Sequence, residues 1–300
     1  MPARTAPLSP ITLFKMLSPQ TERFLDLARQ GRNEWWRYLL GAAIIAFSWL
    51  VLGHVPYFLL LLAGLSDPPF DFIAINLSIL MMLAGLAVTV KWIHQRSLHS
   101  LITPENRIDW ARVARGAVVW AVLAAAVAGI EHLVYPERYY LSFNPGRLPV
   151  YFALVLVLTP LQCAVEELVF RGYAMQGLGL LTRCPLAIAV LSSVAFTMPH
   201  LLNPEVHEHG AAIMAANYFA IGMLLATVAL RDGRLELAIG LHAMNNVFLA
   251  LVANYEGSAL ATESVFTARE LDPLYSLVTL VIGTFAFHWW IFRHASENPI

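Results

Sequence analysis

Apolar runs long enough to cross a lipid bilayer recur along most of this chain, and no other feature restricts its fold as tightly. About 20 apolar residues span a hydrocarbon core of about 30 Å at about 1.5 Å per residue. Inside that core every backbone N–H and C=O must find its partner within the protein, which leaves helices and closed barrels. Read this way, the 300 residues contain about eight helices, near 37–65, 72–94, 111–134, 149–182, 184–202, 211–231, 235–254 and 271–293. Turn-forming clusters stand between them: Ser66-Asp67-Pro68-Pro69, Thr103-Pro104-Glu105-Asn106, Asn144-Pro145-Gly146 and Asn203-Pro204. Trp35, Trp36, Trp92, Trp110, Trp289 and Trp290 lie near run ends beside basic residues, where interfacial aromatics belong. The expected fold class is an all-α integral membrane protein of about eight transmembrane helices.

The composition agrees, with 58% hydrophobic and 13% charged residues, which excludes disorder and an ordinary soluble domain. A net charge of −1 without a basic block recommends no nucleic acid as partner. Among the lysines and arginines only Arg138, Arg147 and Arg269 fall on the side opposite the N-terminus, a bias that predicts both termini in the cytoplasm. Three parts follow: a cytoplasmic amphipathic segment at 1–36, a transmembrane helical domain at 37–293 with its functional core at 149–254, and a cytoplasmic tail at 294–300. No cleavable signal peptide is expected, and a bacterial inner membrane fits the pattern. Ile11, Phe14, Leu17, Phe24, Leu25 and Ala28 approximate one helical face, predicting short segments on the membrane surface, with packing on the helical core as the alternative. Cys163 and Cys184 lie in or beside apolar runs without metal-type spacing and read as two buried thiols.

Against this background a few ionisable groups stand out. Glu166 and Glu167 interrupt the run from Val150 to Phe170 and are followed by Arg171, and two further runs carry Phe196-Thr-Met-Pro-His200 and His242-Ala-Met-Asn-Asn246. Charge at membrane depth costs about 2.5–3.5 kcal/mol per residue on insertion scales and so marks function. Counting along the hairpin, Glu166 lies about 17 residues before the Thr182-Arg183 turn and His200 about 17 after it, which sets them at one height. Asn246 shares a helical face with His242, and Phe196 is one turn from His200, placed to pack beneath it. Pro160 and Pro199 each free a backbone carbonyl close to these groups and open space for water. A carboxylate and imidazoles around a wet cavity suit hydrolysis: one Glu takes a proton from water while His and Asn donors stabilise an oxyanion. Glu167 and Arg171, four residues apart, suit a supporting ion pair. His207-Glu208-His209 lies beside Pro204 and reads as a solvated loop outside the site.

The ordered set Glu166-Glu167-x-x-x-Arg171, Phe196-x-x-x-His200 and His242-x-x-x-Asn246 closely resembles the three motifs of the CPBP family, the Abi-type group of CAAX prenyl proteases and bacteriocin-processing enzymes. The resemblance covers about 149–254. It implies an intramembrane endopeptidase that cleaves a membrane-associated protein or peptide, with Glu166 as water-activating base together with His200. It implies His242 and Asn246 as oxyanion stabilisers, and Glu167, Arg171 and Phe196 as support. A metal-independent glutamic mechanism is favoured because Asn is a poor zinc ligand; the alternative is Zn²⁺ on Glu166, His200 and His242. Two other functions compete: a noncatalytic immunity or maturation scaffold that keeps the fold, and a proton-coupled transporter.

Overall fold

A computed structural model describes residues 17–65, 68–260 and 262–293. Ile11, Phe14, the Ser66-Asp67 half of one turn and the 294–300 tail lie outside the described residues. The first described helix is α1 (Pro19–Asp26), capped by Ser18, whose hydroxyl accepts from the Thr21 amide. Among the described residues six helices are long and apolar enough to span a membrane: α2 (Trp35–Leu62), α3 (Pro69–Ile93), α4 (Trp110–Val134), α5 (Leu148–Leu181), α7 (Ala211–Asp232) and α9 (Pro273–Phe292). Two shorter apolar helices, α6 (Pro185–His200) and α8 (Glu236–Leu251), complete the eight apolar runs. The protein is therefore a helical, multi-pass integral membrane protein. Leu62, Leu133 and Phe285 are among the large apolar side chains left outward-facing on the spans.

Packing is organised around α8, which lies against α4 and α5, and around α7, which lies against α6 and α9. The α4–α8 crossing depends on two glycines: a Cβ on Gly240 would run into the Val113 carbonyl, and one on Gly116 into the Leu237 carbonyl. Without a hydrophobic drive between helices in lipid, such backbone approach supplies the dispersion contact that holds them. A π-helical turn, Leu168–Ala174, follows Glu167 inside α5. Turns of this kind gather at functional sites because they re-aim the side chains around them.

Three features depart from the sequence reading. Phe24 and Leu25 are fully buried in the main apolar cluster with Met175 and Leu225, so α1 packs on the helical core, the alternative to lying on the membrane surface. Cys163 is buried as expected, but Cys184 is exposed, because it sits in the turn at the start of α6. The connections at one end pair into a small sheet of order β1-β3-β2, formed by β1 (Tyr139–Leu141), β2 (Ala253–Tyr255) and β3 (Phe266–Ala268). β1 runs antiparallel and β2 parallel to β3. The same end carries Arg138 between Glu131 and Asp272, at 3.3 and 3.0 Å. The opposite, arginine-rich end is tied by Arg183–Asp26 at 2.6 Å, Arg112–Asp232 at 3.1 Å and Arg234–Glu236 at 3.5 Å.

Candidate active site

The two neighbouring acids of α5 have different partners. Glu167 is fully buried, and its Oε1 accepts from Arg171 Nη1 at 2.9 Å and from His242 Nδ1 at 2.8 Å. Arg171, also fully buried, donates from Nη2 to the Gly222 carbonyl at 3.2 Å and lies 4.3 Å from the Phe196 ring centre. Glu167 thus joins three helices: its own, α8 through His242, and α7 through Arg171. Glu166 has more freedom. Its Oε1 accepts from Gln162 Nε2 at 3.3 Å, while its Oε2 is buried without a hydrogen-bond partner among the described residues. That oxygen lies 3.9 Å from His242 Nε2, too far for a direct bond. A water about 2.8 Å from each atom would close the triangle.

His200 ends α6, and its Nδ1 bonds the Phe196 carbonyl at 2.7 Å. A carbonyl only accepts, so Nδ1 carries the proton and Nε2 is left to accept in the neutral ring. Phe196 is the spacer of the cluster, its ring centre 4.4 Å from that of His200 and 5.9 Å from that of His242. The carboxylate–imidazole bond is seen between Glu167 and His242; the expected pair, Glu166 and His200, makes no direct hydrogen bond among the described residues, and His200 meets the cluster at the Phe196 ring. The other face of His200 meets Tyr218, with ring centres 4.8 Å apart.

Asn246 is oriented by two residues that sequence reasoning missed. Trp120 Nε1, which can only donate, bonds Asn245 Oδ1 at 3.0 Å, and Asn245 Nδ2 in turn donates to Asn246 Oδ1 at 3.0 Å. The Asn246 amide nitrogen is thereby left free to donate elsewhere. The available signal was a second amide, Asn245, in an apolar helix; nothing in the sequence pointed to Trp120. Trp120, Asn245 and Tyr218 also line a cavity of about 270 Å³ between α4, α7, α8 and α9. It extends to Glu131, Tyr139 and Asp272 at the sheet end.

Among the described residues no three His, Cys, Asp or Glu side chains are grouped to hold a metal ion. Glu166, His200 and His242 therefore do not form a ready zinc site, since His200 approaches through Phe196. His207, Glu208 and His209 lie not in a loop but in a six-residue helix, Pro204–His209, with His207 and Glu208 exposed. Glu205 in that helix is buried and accepts from Tyr255 Oη at 2.7 Å and the Ala259 amide at 2.8 Å.

An acid pair, two histidines and an asparagine are thus carried on three apolar helices, α5, α6 and α8, the arrangement expected from the resemblance to the CPBP motifs. Residues 145–248, which hold all three motifs, match the family described as Rce1-like, type II CAAX prenyl endopeptidase Rce1-like. Over 263 residues, 82% of this chain and 87% of the other, it is 29% identical to the uncharacterized protein YyaK of Bacillus subtilis (strain 168). No solved structure matches.

Proposed function

We propose that this protein is an intramembrane endopeptidase of the glutamic type, acting on a membrane-associated protein or peptide in the cytoplasmic membrane of a bacterium. The observation that carries the reading is the division of labour between the acids. Each acid keeps one oxygen without a partner among the described residues, but Glu167 Oε1 is held by both Arg171 and His242, whereas Glu166 has only the long bond from Gln162 and its Oε2 lies 3.9 Å from His242 Nε2. A water between Glu166 Oε2 and His242 Nε2 is placed to lose a proton to the carboxylate and attack a peptide carbonyl. His200, with Nδ1 occupied, offers Nε2 to orient that water. The oxyanion formed on the substrate carbonyl is met by Asn246 Nδ2 and by His242 in its doubly protonated form, steadied by the Glu167 carboxylate. The proton taken by Glu166 then passes to the leaving amine, so the carboxylate is regenerated. The cavity between α4 and α9 offers room for the substrate segment next to the scissile bond.

The test is comparative proteomics of membrane-protein termini in cells carrying wild type or Glu166→Ala. The reading expects one or a few precursors to accumulate uncleaved in the variant. Identical termini in the two strains, with both proteins folded and inserted, would refute it.

A further inference from the structure

One face of α5 carries a line of buried oxygen atoms that leads to Glu166. Thr159, Gln162 and Glu166 lie three and four residues apart on that face, and each has a buried oxygen without a hydrogen-bond partner among the described residues: Thr159 Oγ1, Gln162 Oε1 and Glu166 Oε2. Thr159 itself is fully buried. Just beyond it, Pro160 has no N–H to give, which leaves the Leu156 carbonyl without its helical donor. On α3, Asn76 is buried, spends its Nδ2 on the Phe72 carbonyl at 2.8 Å and leaves Oδ1 unpartnered. The two helices are packed with Phe72 against Tyr151, ring centres 6.3 Å apart, and Val155 belongs to the same apolar cluster. Asn76 lies one turn beyond Phe72 on α3, and Thr159 lies one turn beyond Val155 and two beyond Tyr151 on α5.

A buried polar group left unpaired is costly, and at membrane depth bulk solvent does not relieve it. The free atoms along this line are oxygens, so what satisfies them donates hydrogen bonds or is a cation. Thr159 to Glu166 is seven residues, about 10 Å of helix. That is several times the reach of one ion's coordination shell and the length of a short row of hydrogen-bonded waters.

We propose that a file of water molecules runs along the α3–α5 interface over Thr159 and Gln162 to Glu166. Delivery of the reacting water by this file rests on the peptidase reading above; the file itself does not. It supplies Glu166 from the Thr159 side while a substrate fills the cavity on the other side of α8. Cys163, one turn from Thr159 and beside Gln162, is a fully buried thiol next to this path, its Sγ 3.6 Å from the His242 carbonyl.

The thiol provides the test, without any cleavage assay. In full-length Cys184→Ser protein in lipid vesicles, Cys163 is the remaining thiol, and transfer into D₂O converts its S–H infrared stretch to S–D. The file predicts prompt exchange, well ahead of the amides of the surrounding spans. Thr159→Val, nearly isosteric, should slow it about tenfold, equivalent to about 1.4 kcal/mol, and Thr159→Ser should restore the rate. A monovalent cation in place of water would leave the thiol protected. Either a Cys163 S–H as slow as the core amides or a rate unchanged by Thr159→Val would overturn the proposal. Because exchange is read in the absence of substrate, such a failure would leave the peptidase reading standing, and loss of that reading would leave this measurement intact.

Discussion

Glu167→Gln and Glu166→Gln change adjacent residues by the same two atoms, yet opposite consequences are expected. Glu167 accepts two charge-assisted hydrogen bonds, at 2.9 Å from Arg171 and 2.8 Å from His242, in a fully buried setting. Bonds to charged groups contribute about 1.5–3 kcal/mol each, and removing one partner of a buried ion pair costs about 3–5 kcal/mol because the other charge is stranded. The Gln retains one acceptor oxygen, so a loss of about 3 kcal/mol is expected, with Arg171 the group left uncompensated. Glu166 makes one weaker bond, at 3.3 Å from Gln162, and its other oxygen has no partner among the described residues. Its replacement by Gln should cost less than about 1 kcal/mol, or nothing, while abolishing cleavage. Chemical unfolding of both variants in one detergent, followed by tryptophan fluorescence, separates the two outcomes. Equal destabilisation of both, or a stable Glu166→Gln that still cleaves, would refute the assignment of anchor and base.

Four further outcomes follow from other parts of the molecule. Gly240→Leu forces a side chain into the Val113 carbonyl and should destabilise the α4–α8 crossing by about 1–3 kcal/mol or more, read by the same unfolding assay. Trp120→Phe removes the donor that orients Asn245 and so frees the Asn246 amide to turn; kcat should fall about tenfold with KM little changed, equivalent to about 1.4 kcal/mol of transition-state stabilisation. Chelation followed by elemental analysis of the active protein should find activity retained and no stoichiometric metal, because Glu166, His200 and His242 are not grouped as a ligand set. The Tyr275 amide, and after it Arg138, hold the Asp272 carboxyl below its ordinary 3.8. A depressed value stabilises the fold above the unfolded pKa and is lost as pH falls through the lower folded one. Stability should therefore decline below about pH 4 in wild type and lose that part of its pH dependence in Asp272→Asn.

The eight apolar runs and the three motif-bearing helices were legible in the sequence because lipid imposes long uninterrupted helices and makes each buried charge conspicuous. Glu167 with Arg171 was legible for a further reason, since four residues along a helix places two side chains on one face. The contact of Glu167 with His242 was not, because it depends on how α5 and α8 cross, which no spacing along either helix fixes. Trp120 read as an ordinary apolar residue; its role rests on one N–H meeting a helix 125 residues away. The small sheet escaped because strands of three residues leave no periodic trace. Cys184 looked buried by its neighbours' hydropathy, but a turn residue faces outward whatever surrounds it in sequence.

The sixteen residues of α6 and the sixteen of α8 give each helix only about 24 Å of rise, against a hydrocarbon core of about 30 Å. The protein therefore meets the bilayer with two different hydrophobic thicknesses, full on the flank formed by α2 and α3 and thin beside α6, while α8 lies enclosed without an exposed residue. Lipids beside the thin flank must shorten or tilt to match it, at a fraction of a kcal/mol per Å of mismatch. That deformation lowers the depth of hydrocarbon a polar peptide bond must cross to reach His200 and His242. The helix that supplies His200 also thins the barrier around it.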